Sequence, residues 1–127
     1  LRHRVRGICG AAIAGDVFED RDGAVWVGCR GALARVGADG AVRRWHSADD
    51  RTIPASTSLG EWVQQRDGTL WAHDGATIQM RAPDGRVLAT LRGGGASGLP
   101  QGARLRQMAR APDGSVWLAG THGLATY

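Results

Sequence analysis

Four polar residues of this chain have side chains that could bind a ligand or take part in chemistry. They are Arg30, His73, Asp74 and His122. Histidine exchanges protons near neutral pH and binds metals, while arginine and aspartate fix the polar groups of a ligand. A catalytic zinc site needs three protein ligands, so two histidines alone make a weak metal site. We therefore predict that these four residues contact a ligand, and we predict neither a metal nor another cofactor.

No catalytic residues are predicted. Serine and histidine fall on separate turns, and no serine lies in a nucleophile-elbow sequence. The glycine-rich stretch RGGGASG lacks the Gly-Lys-Ser/Thr ending of a phosphate-binding loop, so it is interpreted as a linker. The sequence thus favours a binding segment over an enzyme.

Each candidate lies at the end of one of three similar segments. These read RDGAVWVGCRG from Arg21, RDGTLWAHDGA from Arg66 and PDGSVWLAGTHG from Pro112. Their tryptophans, Trp26, Trp71 and Trp117, are 45 and then 46 residues apart. Repeats of this length are typical of propellers and solenoids, and the turns described next favour the propeller.

Glycine-containing turns divide every repeat into strands. Asp-Gly pairs predict tight hairpin turns, and an aliphatic residue seven positions after each tryptophan marks a third strand. The first turns are Asp22-Gly23, Asp67-Gly68 and Asp113-Gly114; the aliphatic residues are Leu33, Ile78 and Leu124; second turns follow at Asp39-Gly40 and Asp84-Gly85. We interpret the aspartates as turn-formers that bond nearby amides, not as a carboxylate cluster. The repeat is therefore a four-stranded antiparallel meander.

The predicted fold is an all-β propeller made of such blades. Segments such as AVWV are apolar on both faces, so each sheet must be covered on both sides. We therefore interpret the tryptophans as packing residues between blades rather than as ligand-stacking residues. In a meander blade, the candidate ligand contacts lie at the opposite end from the Asp-Gly turns, where loops on a rigid scaffold commonly bind ligands.

The predicted domain is one incomplete propeller over residues 1–127, with about two and a half to three blades. Residues 1–14 form an outer strand of a preceding blade and a connection, 15–46 blade 1, 47–60 a loop, 61–91 blade 2, 92–104 a glycine-rich loop and 105–127 an incomplete blade 3. Too few blades are present to close a ring. Either the chain is a piece of a longer protein or several copies assemble; we favour a piece, because both ends cut through a blade.

Charge and cysteine content exclude some classes. The formal net charge is +4, but the 16 basic residues, all arginine, are spread along the chain, so no nucleic-acid partner is expected. The tightest group, Arg2, Arg4 and Arg6, is interpreted as the solvated face of an edge strand. No apolar run reaches the ~18 residues of a membrane span. Cys9 and Cys29 leave two alternatives open, buried free thiols or one disulfide in an exported protein.

The repeats resemble the two-component regulator propeller family, whose blades follow a pattern like eD.dG.lWvGT..GL.ry. The match is carried by FEDRDGAVWVGCRGALARV, by the GLP lead-in and by the GTHGLATY ending, and together the repeats cover Val17 to Tyr127. Two departures occur: Cys29 replaces the usual threonine, and Ala72-His73 replaces a small apolar residue followed by glycine.

The resemblance implies a sensor segment of a bacterial signal-transduction protein, in the periplasmic part of an inner-membrane protein. Its output would be a histidine kinase or a diguanylate cyclase outside these residues, and the parent protein could be a membrane-bound dimer. The expected partner is a small-molecule or glycan ligand, or another protein. Two alternatives remain open: an enzyme similar to streptogramin lyase, whose repeats also contain DG.lW, and a plain protein-interaction platform.

Overall fold

The architecture is known from a computed structural model that describes residues 7–9, 14–92 and 100–127. Every regular element in these residues is a β-strand. The strands are β1 (Ala14–Glu19), β2 (Val25–Cys29), β3 (Ala32–Val36), β4 (Val42–His46), β5 (Gly60–Gln64), β6 (Leu70–His73), β7 (Thr77–Arg81), β8 (Val87–Arg92), β9 (Leu105–Arg110), β10 (Val116–Gly120) and β11 (Gly123–Thr126). No helix of the described residues is long and apolar enough to cross a membrane.

The strands form three antiparallel sheets in sequence order. Their orders are β1-β2-β3-β4, β5-β6-β7-β8 and β9-β10-β11, so the last sheet has three strands. The predicted all-β fold of meander blades, the last one incomplete, is confirmed. The predicted outer strand and its arginines fall mostly on residues 1–6, and much of the glycine-rich loop falls on 93–99; both lie outside the described residues.

All five Asp-Gly turns share one backbone pattern. In the first, the Gly23 N–H donates to the Asp20 carbonyl (3.0 Å) and the Asp20 N–H donates to the Ala24 carbonyl (2.8 Å). The turn glycine has a positive φ in each, whereas no turn aspartate does. Only the glycine of each Asp-Gly pair adopts an unusual backbone angle, as in a type I turn followed by a left-handed residue.

Contacts divide the chain into two compact units, residues 1–60 and 61–127. In the first, Val27, Cys29, Ala32 and Ala34 form a buried cluster against which Ile8 and Cys9 pack. Cys9 and Cys29 form a disulfide, which settles the alternative that the sequence left open. In the second unit, Trp71 and Ile78 of one sheet pack with Val116 and Leu118 of the next.

Candidate functional site

His73 ends β6 and is buried, with both ring nitrogens engaged. Its Nδ1 accepts the N–H of Gly75 at 2.9 Å, and its Nε2 lies 3.0 Å from Oε2 of Glu61. Because an acceptor nitrogen carries no proton, the neutral ring holds its proton on Nε2 and donates it to the carboxylate. To act as a base or a metal ligand, His73 would first have to break one of these bonds.

Glu61 on β5 links β6 to the neighbouring sheet of the second unit. Its Oε1 accepts the N–H of Met108 on β9 at 3.2 Å, while Oε2 faces His73. Glu61 has φ 48°, which makes it the non-glycine residue with a left-handed backbone among those described. This conformation costs about 1–2 kcal/mol in a residue with a Cβ. The two hydrogen bonds of the carboxylate offset that cost.

Asp74 shapes the turn between β6 and β7. Its Oδ1 accepts the N–H groups of Ala76 (3.0 Å) and Thr77 (2.8 Å), so this oxygen has a structural role. The carbonyl of Gly75 in the same turn accepts the Leu105 N–H at 2.7 Å. The chain before β9 is thereby held against this turn.

Arg104 lies between this turn and the turn that joins β10 to β11. Its N–H donates to Thr121 Oγ1 at 2.9 Å, and its carbonyl accepts the Thr121 N–H at 3.0 Å. Its guanidinium lies beside Gly75, since a Cβ built there would be 3.5 Å from one terminal nitrogen. The side chain is exposed, so its charge is available at this end of the unit.

His122 lies in the β10–β11 turn and differs from His73. Both of its ring nitrogens are shielded from solvent, and neither has a hydrogen-bond partner among the described residues. Buried polar groups are usually paired, so an imidazole with neither ring nitrogen paired is an uncommon arrangement. Among the predicted contacts, His122 is the one with both ring nitrogens unused.

Arg30 lies in the first unit, in the turn between β2 and β3. Its Nε–H donates to the Ser56 carbonyl at 2.9 Å, and the neighbouring Gly31 N–H donates to the Thr57 carbonyl at 3.3 Å. Arg30 therefore holds the loop that follows β4. Its predicted role in ligand contact has no further support from these bonds.

The structure thus brings together the turns of His73, Asp74 and His122, joined through Arg104 and Leu105. We call His73, Asp74, Arg104, Thr121 and His122 the turn cluster. Sequence reasoning missed Arg104 and Glu61, because neither belongs to the repeated motif. Arg104 could have been found from its position immediately before β9, the strand that begins beside these turns.

An apolar groove of about 210 Å³ lies elsewhere in the second unit. It is lined by Gln107, Met108, Ala109, Trp117, Ala119 and Leu124. The volume is below the ~300 Å³ at which ligand pockets usually begin. Among the described residues no group of three or more His, Cys, Asp or Glu side chains could hold a metal ion.

Solved structures with the same fold are similar to this chain over most of its length. The extracellular domain of a proposed hybrid two-component system from B. thetaiotaomicron matches with TM-score 0.69 and 16% identity, over 91% of this chain and 16% of that one. The extracellular domain of a proposed one-component system from B. thetaiotaomicron matches with TM-score 0.63 and 13% identity, over 98% and 17%. The chain thus spans about a sixth of their length.

A third similar structure is virginiamycin B lyase from Staphylococcus aureus, with TM-score 0.59, 14% identity and coverage of 90% of this chain and 40% of that one. No protein-family model and no curated protein matches the chain. At these identities the likeness shows the fold, and it is the fold that the resemblance to regulator propellers implies. The chain is an incomplete all-β propeller.

Proposed function

We propose that this chain is a ligand- or partner-sensing propeller segment of a bacterial signal-transduction protein. The observation that carries the proposal is the likeness to two extracellular domains of signalling systems, over at least 90% of the chain. The repeat motifs that resemble regulator propellers support it independently. In this proposal the segment is extracytoplasmic and acts on a histidine kinase or diguanylate cyclase in the same protein.

The turn cluster is the proposed ligand contact. Arg104 supplies an exposed positive charge, and His122 supplies two ring nitrogens without partners. A small molecule or glycan with acidic groups would pair with Arg104 and leave the bonds of His73 and Asp74 intact. Because the His122 ring nitrogens are shielded from solvent, the β10–β11 turn would have to shift for the ligand to reach them. Arg30 would contribute only by holding its loop in place.

Thermal unfolding with a panel of oligosaccharides and small metabolites tests this proposal. A ligand at 100 times its dissociation constant stabilises the folded chain by about 2.7 kcal/mol. The Arg104→Gln and His122→Ala variants should lose that stabilisation, whereas Arg21→Gln, an exposed residue of the first unit, should retain it. The coding sequence on both sides is the second test: an output domain and a membrane helix are expected, and their absence would contradict the signalling role.

A lyase is the second candidate, and the likeness to virginiamycin B lyase favours it. His73 is an unfavourable catalytic base here, because both of its nitrogens are already engaged. Incubation with a streptogramin B substrate decides between the two functions. Turnover that is lost in His122→Ala would establish the lyase function. Absence of turnover in the unmodified chain would leave sensing as the remaining candidate function.

A further inference from the structure

Two arginines stand side by side on the sheet of the first unit. Arg35 on β3 pairs directly with Trp26 on β2 and, on its other side, with Arg43 on β4. Directly opposite residues of neighbouring strands project from the same face of a sheet, with Cβ atoms about 5 Å apart. Like charges on directly opposite residues destabilise a sheet, so their juxtaposition needs a physical reason.

Aromatic rings beside the arginines supply part of that reason. The Arg35 guanidinium carbon lies 5.7 Å from the ring centre of Trp26, and that of Arg43 lies 4.8 Å from the ring centre of Trp45. The two rings stack on each other, 5.8 Å apart and 15° from parallel. Trp26 is held in place because its Nε1–H donates to Asp20 at 2.9 Å. Cation–π attraction therefore stabilises both arginines at fixed positions.

The guanidinium of Arg35 has unused hydrogen-bonding capacity. It forms no hydrogen bond or ion pair with any described residue, and its Nε is shielded from solvent without a partner. Asp39 is close by, since its Oδ1 and a terminal nitrogen of Arg35 both lie next to Gly37, but that oxygen accepts the Ala41 N–H at 3.0 Å. A guanidinium carries five N–H donors, and shielded donors are normally satisfied. Because the Nε–H is closed to solvent, an acceptor supplied from outside would bind the other N–H groups of the guanidinium.

We propose that Arg35 and Arg43 form a binding site for an oxyanion, namely the carboxylate, sulfate or phosphate group of a soluble ligand. Planar guanidinium forks match such groups with paired hydrogen bonds, and the anion would relieve the repulsion between the two cations. Arg43 is exposed, so the site is open to solvent. Trp45 already contacts Trp26 and Arg43, so recognition is by charge rather than by stacking.

The site is distinct from the proposed ligand contacts. Arg35 and Arg43 lie near the β3–β4 turn at Asp39-Gly40, whereas Arg30 lies in the β2–β3 turn at the other end of β3. The turn cluster belongs to the second unit. Oxyanion binding at the arginine pair therefore does not depend on the sensing role proposed above.

Isothermal titration calorimetry of the whole chain tests the site with sodium sulfate, inorganic phosphate and glucuronate, at an ionic strength held constant with sodium chloride. We expect saturable binding of at least one anion, weakened about tenfold or more by Arg35→Gln or Arg43→Gln. Arg86→Gln is the matched control, because it makes the same charge change at an exposed residue of the second unit and should leave the affinity unchanged.

The three probes distinguish the source of the anion. Tighter binding of glucuronate indicates a sugar carboxylate, and tighter binding of sulfate or phosphate indicates a doubly charged group. Arg35→Lys should weaken binding while keeping the charge, since lysine lacks the planar fork. The proposal is overturned if none of the probes binds, or if Arg86→Gln weakens binding as much as the other variants. If Arg35→Gln does not fold, the affinity of the Arg43→Gln variant tests the site, because Arg43 is exposed and its substitution should not disturb the fold.

Discussion

At the scale of single residues, the Glu61 carboxylate gives the sharpest stability prediction. Glu61→Ala leaves the His73 Nε2–H and the Met108 N–H without their acceptor, and His73 is buried. A buried donor without a partner costs about 1–3 kcal/mol. We therefore expect Glu61→Ala to lower the free energy of unfolding by that amount, measured by urea denaturation followed through tryptophan fluorescence.

Two variants control this experiment. Glu61→Gln keeps one carbonyl acceptor and should lose less stability than Glu61→Ala. Glu19→Ala removes a carboxylate from an exposed position on β1, and surface changes of this kind usually stay within about 0.5 kcal/mol. Equal losses in Glu61→Ala and Glu19→Ala would show that the bridge to His73 and Met108 does not stabilise the fold.

The Asp113 carboxylate offers a prediction about pH. Hydrogen bonds from the Ser115 side chain, and then from its backbone N–H, lower the pKa of Asp113 from the ordinary value of 3.8. A lowered folded-state pKa gives stability that is present above the unfolded-state pKa and is lost as the pH falls through the folded-state pKa. Ser115→Ala removes the larger cause, so the Asp113 pKa should rise in an NMR titration; an unchanged midpoint would refute this assignment.

Individual residues also show what the sequence could and could not predict. Cys29 and His73 stood out as departures from the repeat, and the structure gives each a specific partner, Cys9 and Glu61. The sequence offered Cys9 as the partner in one of its two alternatives, because the chain has two cysteines. Glu61 was not predictable, because it lies outside the motif and is brought near His73 by folding. Arg104 was missed for the same reason.

At the scale of elements, strands and turns were predictable because their signals are local. An Asp-Gly pair and the alternation of apolar residues act within a few positions, and all five turns formed where the sequence placed them. The side-chain acceptors of the tryptophans were not predicted. The indole N–H of Trp26 donates to Asp20, that of Trp71 to Gln65 and that of Trp117 to Ser115. The acceptor is therefore a different residue type in each repeat.

The disulfide yields a prediction for the first sheet. It joins Cys29 at the end of β2 to Cys9, 20 residues earlier, and Ile8 and Cys9 pack against that sheet. A cross-link of this loop length stabilises by about 3 kcal/mol in the chain-entropy account. Cys9→Ala combined with Cys29→Ala should lower the free energy of urea unfolding by a comparable amount.

Thiol chemistry checks that prediction. The unmodified chain should show no reactive thiol in denaturant until a reductant is added, because both cysteines are bonded. The reductant should destabilise the unmodified chain and leave the double variant unchanged. Two thiols that react in denaturant without reductant would contradict the disulfide.

At the scale of the whole molecule, one face of the third sheet is uncovered, because no further blade follows it among the described residues. Trp71 and Ile78 are 3% and 1% exposed, because Val116 and Leu118 of the next sheet cover them. The corresponding Trp117 and Leu124 are 40% and 64% exposed, and both line the apolar groove. The tryptophan and the aliphatic residue of the repeat are thus buried in the second sheet and exposed in the third, because no further blade covers the third sheet among the described residues.

This difference predicts how the cost of one substitution depends on context. Ile78→Ser should lower the free energy of unfolding by about 2–5 kcal/mol, as removal of a buried aliphatic side chain does. Leu124→Ser should change it by less than about 0.5 kcal/mol, because the side chain is already exposed. A second copy of residues 82–127, appended after Tyr127 in the register of the repeat, would supply the missing cover. In that longer chain Leu124→Ser should cost as much as Ile78→Ser, measured by urea denaturation. If Leu124→Ser stays neutral there, the exposed face does not receive a further blade.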